Sequence, residues 1–163
     1  MISNVARTGT TRSLALAGVA LVVLLVGFAS TADARAVHRL STADRATLTV
    51  RTTKYGRNLF DARGRALYVF TRDRRGGRST CYGACAAKWP VYFATGRLVA
   101  GNGAKQSLIG TSTRRDGRRQ VTYAGRPLYY FVGDKSPGQI LCQGVSEFGG
   151  TWLVVRPSGQ PVR

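Results

Sequence analysis

Three cysteines, two aspartates that close aromatic segments, one histidine and two runs of arginine are the residues whose types and spacing can carry chemistry. Cys81, Cys85 and Cys142 allow three disulfide pairings, and a disulfide is the default fate of cysteines in an exported protein. If Ala84 to Lys88 begins a helical turn, Cys81 and Cys85 lie four apart on one face, at the Cα separation of about 5.5–6 Å that a bridge favours. That assigns Cys81–Cys85 as the disulfide and leaves Cys142 as a free thiol, with a Cys142 pairing as the rival. Three thiolates together could hold a soft metal. Such sites usually recruit His or Met as well, and past residue 34 the chain has one His and no Met. Neither a metal nor another cofactor is therefore expected.

Asp73 and Asp134 could serve as an acid and base or as metal ligands. Each ends an aromatic segment before turn-forming residues, where a carboxylate accepts backbone N–H bonds two residues on and fixes the turn. The structural role is favoured. His38, the single histidine, lies in a polar aperiodic stretch outside the rest of the pattern. Without a positioned base a Ser or Cys nucleophile is not activated, so no catalytic residue is assigned. His38 third from a free N-terminus could bind copper, but the necessary cut after Arg35 lacks a preceding small residue. No Gly-rich phosphate loop opens a helix.

The 163 residues carry 25 Lys and Arg against 7 Asp and Glu, a net charge of +18. Arg72, Arg74, Arg75 and Arg78 form one cluster; Arg114, Arg115, Arg118 and Arg119 flank an Asp116-Gly117 turn and form another. Charge runs are usually solvated surface. Placed at loop tips, several Arg meet an anionic partner together, each worth about 1 kcal/mol near an anionic membrane. An exported protein meets wall polymers and anionic lipid first. No nucleic-acid-binding signature is present, so nucleic acid is not the expected partner.

Export follows from the first 34 residues: Arg7 and Arg12, an apolar run from Leu14 to Ala29, and Ala32-Asp33-Ala34 as an Ala-x-Ala cleavage site. Sixteen apolar residues rise only about 24 Å as a helix, short of the roughly 20 residues of a membrane span. Residues 1–34 are thus expected to be a cleaved signal peptide, 35–46 a flexible tether and 47–163 a single β domain, extracytoplasmic and without a transmembrane span. The mature chain would carry a net charge of +17, from 23 basic and 6 acidic residues. Nothing in the sequence sets an oligomeric state.

What must position these side chains is a duplicated unit. Gly64-Arg65-Ala66-Leu67-Tyr68-Val69-Phe70-Thr71-Arg72-Asp73 recurs 61 residues later as Gly125-Arg126-Pro127-Leu128-Tyr129-Tyr130-Phe131-Val132-Gly133-Asp134. A Cys follows each Asp by eight residues, and then a Trp, Trp89 or Trp152. Copy one (about 47–107) and copy two (about 108–163) each read as a β-meander. In copy one, strands are expected over Leu48 to Thr53, Asn58 to Asp61 and Arg65 to Thr71. In copy two they are expected over Leu108 to Thr113, Gln120 to Tyr123 and Arg126 to Val132, with a last strand over Thr151 to Val155. Tyr68, Phe70, Tyr129 and Phe131 are expected in the core. The fold class is all-β: two pseudo-equivalent repeats packed on one core, with little helix.

Tyr68-x-Phe70-x-x-Asp73 and Tyr129-x-Phe131-x-x-Asp134, with Cys81-x-x-x-Cys85-x-x-x-Trp89-Pro90 between them, resemble the bacterial secreted-repeat family of exported and lipoprotein-like proteins defined by a Tyr-x-(Phe/Trp/Tyr)-x-x-Asp motif. The resemblance covers nearly all of the mature chain. It implies an envelope location and no defined activity, because the family's function is unknown; envelope copper or electron-transfer roles attach to some relatives. This chain lacks the lipid-attachment Cys of the lipoprotein members. Two functions remain in view: a non-enzymatic binding or structural module for an anionic cell-wall polymer or lipid surface, and a redox or metal-handling (copper or haem electron-transfer) accessory protein.

Overall fold

A computed structural model describes residues 48–163. The expected signal peptide, the tether and His38 lie outside the described residues. Strand β1 (Leu48–Thr53) pairs antiparallel with β2 (Gly56–Asp61); β3 is Tyr68–Phe70, and a five-residue helix α1 (Ala84–Lys88) follows. After a 3-10 turn at Gln106–Leu108 come β4 (Ile109–Thr113), β5 (Arg119–Tyr123), β6 (Arg126–Pro127), β7 (Val145–Glu147) and β8 (Gly150–Val154). The protein is all-β with very little helix. No helix of the described residues is long and apolar enough to cross a membrane.

Each first hairpin follows from local chemistry. β-branched Thr and Val residues fill β1, and the β4–β5 turn places Gly117 at φ 78, a left-handed backbone that glycine adopts without a Cβ penalty. The third strands depart from expectation. In copy one only Tyr68–Phe70 is regular, and in copy two Arg126 to Val132 shortens to β6 plus an isolated bridge at Tyr129. Pro127 has no N–H to give a ladder, and Tyr129 divides its pairing between Tyr68 and Val91. Strand β7 leaves no signal in the sequence, three residues being too few to show a period.

The copies are interlocked. β3 of copy one pairs with β8 of copy two, Tyr68 opposite Val154. Reciprocally, Tyr129 of copy two bridges Val91 of copy one, Tyr92 N–H donates to Leu128 O (3.1 Å) and Tyr130 N–H to Pro90 O (2.8 Å). Leu59 N–H donates to Val155 O (2.8 Å), and its counterpart Val121 N–H to Tyr92 O (2.8 Å). On the pseudo-twofold axis the two motif tyrosines pair with each other, Tyr68 N–H to Tyr129 O and Tyr129 N–H to Tyr68 O, both 2.9 Å. The closing segment of each copy, β8 in copy two and the isolated bridges at Val91 and Phe93 in copy one, therefore lies on the other copy.

β3 is buried on both faces, as its uniformly apolar sequence requires. Tyr68 and Phe70 join one apolar cluster with Trp89, Trp152, Tyr129, Cys81 and Cys85. Leu67 and Val69 join a second with Leu48, Leu59, Val121, Leu128 and Leu153.

Candidate functional site

The motif residues meet across the axis. The Tyr68 phenol donates to Asp134 Oδ2 (2.7 Å), and the Tyr129 phenol donates to Asp73 Oδ2, with Ser79 Oγ 2.7 Å from that same phenol. Each copy's tyrosine thus serves the other copy's aspartate. The second carboxylate oxygens hold backbone of their own copy, Asp73 Oδ1 accepting from Thr80 N–H (2.7 Å) and Asp134 Oδ1 from Leu141 N–H (3.0 Å). These donors stand seven residues on, not two as local turn chemistry suggested. The two-residue form occurs at Asp61, which takes Arg63 N–H (2.9 Å), and at Asp116, which takes Arg118 N–H (3.1 Å). A third pair, Tyr130 phenol to Asp61 Oδ2 (3.0 Å), was not foreseen, because nothing in the motif marks either residue.

Burial, then the bond to Asp134 and its charge, raise the Tyr68 phenol far above its ordinary value; burial and Asp73 do the same for Tyr129. Both phenols therefore stay protonated donors. Burial also raises the Asp134 carboxyl, a change opposed by the Tyr68 bond.

Between the pairs runs a stack of four rings. Phe70 lies on Trp152 (centroids 4.2 Å, 10°), Trp152 on Trp89 (4.0 Å, 2°), and Trp89 against Phe131 (4.9 Å, 42°). Tyr68 meets Trp89 edge-on at 5.3 Å and Tyr129 meets Trp152 edge-on at 5.1 Å. Each such pair adds about 0.5–1.5 kcal/mol beyond its buried area. Trp89 Nε1–H donates to Glu147 Oε2 (3.3 Å), and the Lys88 ammonium bonded to Glu147 holds that carboxyl below its usual range.

Cys81 and Cys85 are bridged, with Cα atoms 5.3 Å apart, and close the loop that carries α1. Cys142 is a free, half-buried thiol whose ionisation is pushed up by burial and by Asp134 and Glu147. Among the described residues no three His, Cys, Asp or Glu side chains converge as metal ligands would.

The arginine clusters divide. Arg72, Arg74, Arg75, Arg78, Arg115, Arg118 and Arg119 are exposed. Arg114, expected at the surface with them, is instead 4% exposed. Its guanidinium donates to Ser79 Oγ (2.7 Å), Gln120 Oε1 (2.8 Å) and Cys81 O (2.8 Å) and lies 4.2 Å from the Tyr82 ring centre. It is withdrawn from the anion-contact set, because three acceptors and a ring take up its charge inside the fold. In doing so it ties the β4–β5 hairpin to segment 79–81, beside the first cluster. Arg115 N–H donates to the Tyr82 phenol (3.1 Å), and Arg75 Nε–H to Ala124 O (2.9 Å). The two runs, 36 or more residues apart in sequence, are thereby brought to neighbouring loops. Arg118 is ion-paired with Asp116 (2.8 Å). Asp61, Asp73 and Asp134 are buried and Glu147 is paired with Lys88, so every side-chain carboxylate among the described residues is either buried or ion-paired.

A family described as a secreted repeat of unknown function matches the chain twice, over residues 49–92 and 110–156, together more than half of its length. No curated protein and no solved structure matches it.

Proposed function

The chain belongs to the family of secreted repeats of unknown function, and from that premise we propose that it is a non-enzymatic envelope module that binds an anionic wall polymer or lipid surface through its exposed arginines. The carrying observation is the joining of the two arginine loops by Arg114, which leaves Arg74, Arg75, Arg78, Arg115 and Arg119 beside Asp116 as the local acid, itself taken by Arg118. Clustered charge of one sign attracts polyanions over several ångströms and needs no shaped pocket. The buried Tyr–Asp pairs and the ring stack hold the loops in place.

Replacing Arg115, Arg118 and Arg119 by Gln while keeping Arg114 is expected to weaken co-sedimentation with purified wall or phosphatidylglycerol vesicles by about tenfold to a hundredfold, at about 1 kcal/mol per solvent-facing cation. Unchanged association would refute the assignment. A second function, redox or metal handling, draws on the Trp89–Trp152 stack and the adjoining free Cys142. An absorption spectrum and metal analysis of the native protein separate the two: bound copper or haem favours the second.

A further inference from the structure

The pseudo-twofold axis makes one difference between the copies informative. In copy two, Arg114 stands at the start of the β4–β5 turn and fills the gap between that hairpin and segment 79–81. The corresponding residue of copy one is Thr53, at the start of the β1–β2 turn. Thr53 Oγ1 donates to Asn58 Oδ1 (2.7 Å) just as Arg114 donates to Gln120 Oε1, which fixes the equivalence. Ile140 and Cys142 take the places of Ser79 and Cys81. Thr53 is too short to cross that gap, and a cavity of about 460 Å³ remains, lined by Arg51, Lys54, Tyr55, Phe60, Gly138 and Ile140 besides Thr52 and Thr53.

The lining has a definite chemistry. The Arg51 guanidinium lies 5.7 Å from the Phe60 ring centre and the Lys54 ammonium 5.1 Å from that of Tyr55. Neither cation joins an ion pair among the described residues, and no carboxylate lines the space. Asn58, bonded to Thr53 and fully buried, has a side-chain Nδ2 without a partner. Two cations stand at a partly apolar pocket, and its volume falls in the range of small-molecule sites, about 300–1,000 Å³.

We propose that this cavity binds a small organic anion, a phosphate or carboxylate carried on an aromatic or alkyl body. Arg51 and Lys54 meet the charge; Tyr55, Phe60 and Ile140 meet the body. The site uses none of the arginines of the proposed envelope contact, so either can fail without the other.

The test is titration of the ¹⁵N-labelled secreted chain with phenyl phosphate, followed by amide resonances. Shifts are expected at residues 51–55 and 138–140, and inorganic phosphate, lacking the body, is expected to bind at least about tenfold more weakly. Thr53→Arg should close the cavity as Arg114 closes its counterpart and abolish these shifts. Should that variant not fold, the doubly substituted R51Q/K54Q chain, altered only at exposed positions, should bind about tenfold or more weakly, since both cations that meet the charge are removed. Phosphatidylglycerol vesicles displace the probe if the natural source is a lipid headgroup and leave it bound if the source is a free solute; either result keeps the cavity as the site. Shifts confined to the arginine loops, no saturable shift, or binding unaltered by these substitutions would overturn the proposal.

Discussion

At the scale of single residues, the Tyr-x-Phe-x-x-Asp motif is a device for joining two copies. Its Tyr and Asp never meet within a copy; they meet across the axis. Removing one phenol strips a buried carboxylate of a donor, so Tyr129→Phe is expected to cost about 1–3 kcal/mol of unfolding free energy in urea titration. Tyr68→Phe should cost a comparable amount, since it occupies the symmetric place; an unchanged midpoint in both variants would refute the interlock. Asp134 adds a pH dependence with a definite sign. Between the unfolded carboxyl value near 3.9 and the higher native value caused by burial, the native state keeps a proton that the unfolded state has lost. Stability from this group therefore falls as pH rises through that window. Relative to Asp134→Asn, the wild-type chain should lose urea resistance as pH rises from the unfolded carboxyl value, about 3.9, through the higher native one. The opposite trend would mean that the Tyr68 bond, not burial, governs the carboxyl.

Strands and hairpins show what was legible in the sequence and what was not. The hairpins over Leu48 to Asp61 and Ile109 to Tyr123, the short helix at Ala84–Lys88 and the two-faced β3 all follow from alternation, turn residues and apolar runs, which are local. The exchange of closing segments between copies is not local. No period or turn residue records that Trp152 pairs opposite Phe70, or that Thr80, seven residues on, reaches Asp73. Arg114 leaves the surface for a reason that is not local either: a run of arginines reads as surface, while its acceptor Cys81 O lies 33 residues away. The cavity at Thr53 is not local either: the 61-residue offset pairs Thr53 with Arg114, but that a long side chain there spans to segment 79–81 and a short one leaves a gap is a property of the packed copies. Exchange has a consequence that is easily measured. A chain ending at residue 107 lacks the strand that β3 pairs with, so it should show no cooperative unfolding by circular dichroism, and addition of the 108–163 chain should restore a β spectrum. Cooperative unfolding of the first copy alone would contradict the interlock.

For the whole molecule, charge is what remains after the core is accounted for. Five side-chain carboxylates lie within the described residues, three buried and two ion-paired, and the arginines outside face solvent with little to neutralise them. Like charges on such a surface repel one another and, on the proposed reading, draw it to polyanions. Its adhesion must weaken with salt, because the screening length shrinks from about 10 Å at 0.1 M to about 3 Å at 1 M ionic strength. The most direct measurement is the affinity of the secreted chain for phosphatidylglycerol vesicles or purified wall across that range. Binding that falls steeply with salt is the result the arginine contact requires; equally tight binding at both ends would contradict it.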